Sequence, residues 1–210
     1  MASDNFEGVD GTLLGTHDAK WSQISDSTDT TEIQSNQAQV SSSWSRSGYR
    51  YSDGQPADHE SEIVFAADAS RVNNRDHGPA VRMQADFPGY IFRWTGESAG
   101  SFTNWTVRRR TASGNTLIGA GSGSWSKSSP ITINLSVSGS AIVDIDVTIN
   151  SVFQTTVSDS SAERLTTGLP GIYSDVNNLP ANMAIDSWTD NISAPSVSIP
   201  ALLSANQDQN

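Results

Sequence analysis

The stretch from Ile131 to Val157 constrains this chain more than any other. Ile131-Thr132-Ile133-Asn134-Leu135-Ser136-Val137 alternates apolar with polar residues and Ser138-Gly139 turns it. Ala141 to Ile149 resumes the alternation, and Asn150-Ser151 turns it again into Val152 to Val157. A period of two puts alternate side chains on opposite faces of a strand, so the stretch predicts an antiparallel meander with one face in a core. Asp144 and Asp146 then share the solvent face, and Val143, Ile145 and Val147 the core face. Helical periodicity is nearly absent elsewhere. Tyr90 to Trp94 and Trp105 to Arg110 read as strands, and Ser113-Gly114-Asn115 turns the second into Thr116 to Ala120. Glu62 to Ala67 and Ala80 to Ala85 read as another pair, with Val40 to Trp44 and Tyr49 to Tyr51 as shorter pieces. Roughly a dozen strands with tight turns predict an all-β, two-sheet antiparallel jelly-roll sandwich rather than an immunoglobulin sandwich of about seven. Its core should hold Ile63, Phe65, Val81, Phe92, Val107, Ile133, Leu135, Val143, Ile145, Val147 and Ile172.

The 210 residues are enough to bury such a core without staples. The chain has no Cys, which excludes Cys-ligated zinc, iron–sulfur clusters, a thiol nucleophile and a redox couple. Its three His cannot supply a three-His zinc site and a catalytic base as well. Twelve basic against 23 acidic residues give a net charge of -11, which opposes nucleic acid and anionic membranes as partners. No apolar stretch approaches the ~20 residues of a membrane-spanning helix, so membrane insertion is not expected. The opening Met1-Ala2-Ser3-Asp4-Asn5-Phe6 lacks the basic start and apolar run of a secretory signal. Either a leader has been removed or the protein is made and kept in the cytosol.

Residues 4 to 193 show no break in composition and no internal repeat, which predicts one domain over 1–193. Residues 194–210 have a different texture, and the prolines of Ala194-Pro195-Ser196-Val197-Ser198-Ile199-Pro200 exclude a central strand. This segment reads as an extended tail. It either lies loose or uses Val197, Ile199, Leu202 and Leu203 to dock on a neighbouring subunit.

The two ends carry a further pattern. Asp4-Asn5-Phe6, Gly11-Thr12-Leu13-Leu14 and Trp21 open the chain, and Gly168-Leu169-Pro170-Gly171-Ile172-Tyr173 precedes Ala184-Ile185-Asp186-Ser187-Trp188 near its end. Together with the meander, this ordered set resembles the concanavalin A-like lectin/glucanase superfamily in its laminin-G-like jelly-roll branch, over nearly the whole chain up to Ile192. The resemblance implies that the first and last strands, around Phe6 and Trp188, lie side by side. Standalone domains of this kind are found in bacteriophage structural modules and in secreted bacterial glycan-binding proteins.

The catalytic patterns of that superfamily are missing. Its retaining glucanases carry acids at alternate positions of one strand, as Glu-x-Asp-x-Glu, so that a nucleophile and an acid share a sugar. Asp144-Ile145-Asp146 comes nearest, with no flanking Glu and none expected from either neighbouring strand. The lyases built on this fold need an Arg, a Gln-His pair and a Tyr on successive strands, whereas His17, His59 and His77 read as lying in loops or turns. No Gly-x-Ser-x-Gly elbow or phosphate-binding loop occurs, and Gly121-Ser122-Gly123-Ser124 reads as a flexible run.

Binding is left. Seven of the twelve basic residues fall between Arg71 and Arg110, against Asp76, Asp86 and Glu97, so this window is net +4 in an acidic chain. Strand alternation would project Arg82, Arg93, Arg108 and Arg110 from one face, where guanidinium forks could take a carboxylate or sulfate of an acidic glycan or protein. The plainer reading pairs them with the protein's own Asp and Glu. Among six Trp, Trp21, Trp94, Trp105 and Trp188 read as core, while Trp44 and Trp125, each flanked by Ser, are the candidates for an exposed sugar platform. No cofactor is required; a calcium site would draw on Asp4 with Asp186 or Asp190.

These readings combine into a non-catalytic structural protein on the surface of a bacteriophage virion, either a capsid decoration (cement) protein or a tail-fibre module. Its partners would be capsid or tail subunits, further copies of itself, or a glycan. The first alternative is an extracellular carbohydrate-binding module of a bacterial glycan-degrading system. A lyase or glucanase with an unrecognised site is the second.

Overall fold

A computed structural model describes residues 1–40, 45–68, 75–176 and 184–190. The N-terminal third has short strands, β1 (Ala2–Asp4), β2 (Trp21–Gln23), β3 (Thr31–Ile33) and β4 (Ala38–Val40), and a single helical turn, α1 (Leu14–His17). Longer strands follow: β5 (Ser45–Tyr51), β6 (His59–Phe65), β7 (Arg75–Met83), β8 (Gly89–Ser98), β9 (Ser101–Thr111) and β10 (Gly114–Ser126). The meander is β11 (Ile131–Ser138), β12 (Val143–Ile149) and β13 (Val152–Asp159), and β14 (Leu169–Val176) and β15 (Ile185–Asp190) close the described chain. They form two antiparallel sheets. One has seven strands in the order β10-β9-β8-β7-β14-β5-β2; the other has eight, in the order β13-β12-β11-β6-β15-β4-β3, with β1 beside β15. Among the described residues no helix is long and apolar enough to cross a membrane.

The alternation predicted from sequence sets the faces. All eleven expected core residues are at most 3% exposed, and Ile145 is buried between Asp144 and Asp146, which point outward. First and last strands pair as expected, Ala2 opposite Asp190 and Asp4 opposite Trp188, with Phe6 just beyond the ladder and fully buried. Aromatic rings fill the core in two groups. Trp188 lies against Trp21 and Tyr51 with centroids 4.7 Å away in each case, while Trp94 stacks on Phe102 at 4.5 Å and meets Trp125 at 5.2 Å. Edge and offset contacts of this kind stabilise beyond the area they bury.

Several expectations are corrected. Glu62 to Ala67 and Ala80 to Ala85 do not pair with each other: β6 lies between β11 and β15 in the eight-stranded sheet, while β7 lies between β8 and β14 in the other. His59 opens β6 and His77 lies within β7, both 2% exposed; only His17 sits outside a strand. The stretch Gly121 to Ser124 is part of β10 rather than a flexible run. A Cβ at Gly121 would come 2.4 Å from the Trp105 ring, and one at Gly123 would come 2.5 Å from the Trp125 ring, so these glycines admit indoles rather than flexibility.

Candidate functional site

The outer face of the eight-stranded sheet holds an open cleft of about 450 Å³. Strand register builds it in two rows. Glu60 of β6 lies opposite Ser136 of β11, which lies opposite Asp146 of β12 and then Thr156 of β13. One step along, Glu62, Asn134, Thr148 and Phe153 form the parallel row. With strands ~4.8 Å apart, each row spans about 14 Å. A smaller hollow of about 120 Å³, lined by Asp58, His59 and Ser138 among others, abuts it at Glu60 and Ser136.

Phe153 reaches this face through a local irregularity. Val147 pairs with Thr155 but Thr148 pairs with Phe153, so Gln154 is an extra residue on β13. Were Gln154 paired with Thr148 in regular register, Phe153 would fall opposite Ile149, on the core face; the bulge keeps the ring outward, 58% exposed. The acids are held in place by their neighbours. Asn134 Nδ2 donates to Glu60 at 3.1 Å, Thr156 Oγ1 to Asp146 at 2.5 Å and Ser158 Oγ to Asp144 at 2.5 Å. Burial pushes the Glu62 carboxyl above its ordinary range; a hydrogen bond from Asn134 opposes this, and the Glu60 charge adds to it. The result is a trough of fixed acceptors, hydroxyls and one amide beside an exposed ring.

The arginine face is built differently. Arg82 is fully buried, which removes it from any exposed set. Its backbone has a φ of 52°, and its guanidinium turns beneath loops to donate to the carbonyls of Ala57, Leu165 and Gly139 and to Asp58. Arg110 pairs with Asp175 at 2.8 Å and Asp26 at 3.2 Å, and lies over the Tyr173 ring. Arg46 holds the other oxygen of Asp26 at 3.0 Å. The segment carrying Asp26 crosses this face through Ser25 N to Ala85 O and Thr28 N to Arg46 O, and buries Ile24 with Ala80, Met83, Ile91 and Tyr173. Arg93 and Arg108 are half-buried, Arg108 reaching Asn115 at 3.5 Å. The protein's own acids and carbonyls occupy Arg82 and Arg110.

Trp125, expected as a platform, is 9% exposed and packs on Trp94. Trp44 and the tail residues Val197, Ile199, Leu202 and Leu203 lie outside the described residues. The calcium candidates do not converge. Asp4 accepts from Phe6 N at 2.8 Å and Trp21 Nε1 at 2.9 Å, and His17 Nε2 lies 3.0 Å away. Asp186 accepts from Gln37 at 2.6 Å, while Asp190, its carboxyl raised by burial, accepts from Ala2 N. Among the described residues no three His, Asp or Glu side chains gather as metal ligands, and donors already occupy Asp4.

Glu60, Glu62, Asn134, Ser136 and Phe153 were not singled out by sequence reasoning. No Glu comes from β11 or β13, the neighbours of β12, as expected; Glu60 and Glu62 stand one strand further away, on β6. The alternation of Glu60 and Glu62 with Ser61 and Ile63 was the available signal, and the pairing of β6 with β11 was not.

No family model matches the sequence, and no curated protein matches it. Solved structures do resemble its fold. The carbohydrate-binding module CBM66 from Bacillus subtilis superposes with a TM-score of 0.56 at 11% identity, covering 82% of this chain and 92% of that one. The carbohydrate recognition domain of Emp47p gives 0.54 at 9% identity, covering 90% and 93%. Bacteroides ovatus xyloglucan PUL GH43B gives 0.57 at 13% identity over 90% of this chain, which spans only 38% of that one. Two antiparallel sheets, paired first and last strands and these structural neighbours together make the chain a concanavalin A-like jelly roll.

Proposed function

We propose that this protein is a non-catalytic glycan-binding domain whose binding face is the outer face of β6, β11, β12 and β13. One observation carries the reading: a row of four and a parallel row of three carboxylate, hydroxyl and amide groups are held in fixed register, the second row ending on the exposed ring of Phe153. Sugar hydroxyls both donate and accept, so a trough of carboxylates, an amide and hydroxyls can replace the water they lose. An aromatic ring covers the apolar face of a pyranose. Binding of this kind gains from preorganisation, which strand register and the side-chain hydrogen bonds provide. The carbohydrate-binding module and carbohydrate recognition domain with the same fold support the reading. Such a domain works where polysaccharide is, outside the cell.

The carboxylates nearest a glucanase pattern, Asp144 and Asp146, are hydrogen-bonded to Ser158 and Thr156, an arrangement suited to fixed acceptors. A place on a phage particle draws its mechanical argument from residues 194–210, outside the described chain, and glycan contact through the eight-stranded sheet is compatible with it. Affinity electrophoresis against a panel of soluble polysaccharides tests the reading. At least one glycan should retard the protein, Phe153→Ala should relieve the retardation, and reducing ends should not accumulate. Retardation unaffected by Phe153→Ala and by Asn134→Ala would move binding away from this face.

A further inference from the structure

We infer that the core contains a binding site for a single water molecule, held between the two sheets by the hydroxyls of Ser174, Ser47 and Thr31. Apolar side chains fill most of the space between the sheets, and along the β14–β5 ladder Ile172 and Tyr49 form one such buried pair. The next inward pair is Ser174 opposite Ser47, with His77 opposite Ser174 on β7. Thr31 of β3 meets them from the other sheet, its Oγ1 2.8 Å from Ser47 Oγ, and all three hydroxyl residues are buried. Together with Ala38, Val40 and Ile185 these residues enclose a cavity of about 10 Å³. That is the room of one water, and nothing larger fits.

The hydroxyl groups supply the second observation. Ser174 is 4% exposed, and no hydrogen-bond partner among the described residues reaches its Oγ. A buried hydroxyl left in that condition is costly. The Thr31–Ser47 pair brings two hydroxyl hydrogens and uses one between its members, so one hydrogen and several lone pairs remain on the cavity wall. A water that accepts this hydrogen and donates to Ser174 Oγ satisfies both walls, and three hydroxyls give it the about three hydrogen bonds usual for a buried water. The link matters for β3, the edge strand of its sheet, which pairs in the ladder with β4 alone. Through the hydroxyls and the water it is fastened across the core to β5 and β14.

Magnetic relaxation dispersion of the solvent oxygen tests the inference, because it counts long-lived internal waters and does not respond to exchanging hydroxyl hydrogens. The double variant Ser174→Ala/Thr31→Val changes side-chain volume little and should lower the dispersion amplitude by one water. Ser128→Ala, on the exposed surface, should leave the amplitude unchanged. Made singly, Ser174→Ala and Thr31→Val should each raise the unfolding equilibrium constant about fivefold, and together by much less than the ~25-fold product, because both lose the same water. An atomic-resolution crystal structure of the unaltered chain needs no variant. It should place one solvent peak about 2.5 to 3.0 Å from Ser174 Oγ and from either Thr31 Oγ1 or Ser47 Oγ. An unchanged amplitude in the double variant, single effects that multiply in full, or a cavity closed by side chains with Ser174 Oγ bonded to protein would each overturn the inference.

Discussion

The two sheets of this sandwich divide its charge. Strands of the seven-stranded sheet carry Arg46, Arg50, Arg75, Arg82, Arg93, Arg108, Arg109 and Arg110 against Asp76, Glu97 and Asp175. Those of the eight-stranded sheet carry no Lys or Arg and nine acids, among them Glu60, Glu62, Asp144 and Asp146. The arginine-bearing sheet is the one whose outer face is roofed, by the segment holding Ile24 and Asp26, while the acidic sheet keeps an open cleft. A half-buried guanidinium must find acceptors, and on this sheet it finds them in Asp26, Asp175 and loop carbonyls. Carboxylates on an open face keep their hydration and remain available. Charge density in the sequence thus marks structural cement on one sheet and a candidate binding surface on the other.

The largest expected effect breaks the cemented side. Arg82→Ala would leave the Ala57, Leu165 and Gly139 carbonyls without their donor in a buried site, and should cost about 3 to 5 kcal/mol in urea denaturation. A loss below about 1 kcal/mol would mean that water replaces the guanidinium and that its burial is incidental.

Acid should act at the same joint. Burial, with the Arg82 charge, holds His59 down to about 4 from 6.5, a Pro56 hydrogen bond opposing; its Nε2 accepts from Arg82 N at 3.0 Å, which requires that nitrogen to be unprotonated. Because the folded value is depressed, the unfolded chain binds the proton first. Stability is full above 6.5 and falls as pH drops from 6.5 towards about 4. The His59 contribution lost between about pH 8 and about pH 5 should be about 2 kcal/mol, and His59→Gln should flatten that part of the profile. An unchanged slope in the variant would assign the acid sensitivity to other groups.

A smaller effect sharpens the comparison. Asp26→Asn weakens the bridge from Arg46 and Arg110 to the roof and should cost about 1 to 2 kcal/mol, with faster amide exchange at Ser25 and Thr28 and none in β11 or β12. Smallest of all in stability should be Phe153→Ala, within about 0.5 kcal/mol because the ring is exposed, yet it should weaken glycan binding about fivefold to tenfold. Loss of stability without loss of binding would reverse the roles assigned to the ring.

Much of the fold was legible because alternation is local. The faces of β11 and β12, the burial of Ile145 between two aspartates and the pairing of first and last strands all followed from residues close in sequence or from the ordered resemblance. The cleft was not legible, because it depends on β6 lying beside β11, about 70 residues away in sequence, and loop-closure costs leave such pairings unmarked in local pattern. Arg82 misled because alternation assumes regular strand geometry, and its positive φ departs from it. Trp125 misled because flanking serines resemble a loop margin, whereas Gly123 beside it opens room for the indole.

The bulge at Gln154 makes the cleft's aromatic wall a matter of strand register as well as residue identity. Deleting Gln154 would leave Phe153 opposite Thr148 and still outward, whereas pairing Gln154 itself with Thr148 would move Phe153 opposite Ile149, into the core, with every residue that lines the trough still encoded. A protein of this fold can therefore gain or lose a sugar-facing ring by a one-residue slip in pairing. Two homologous sequences could keep the same Phe and present it on opposite sides of the same sheet.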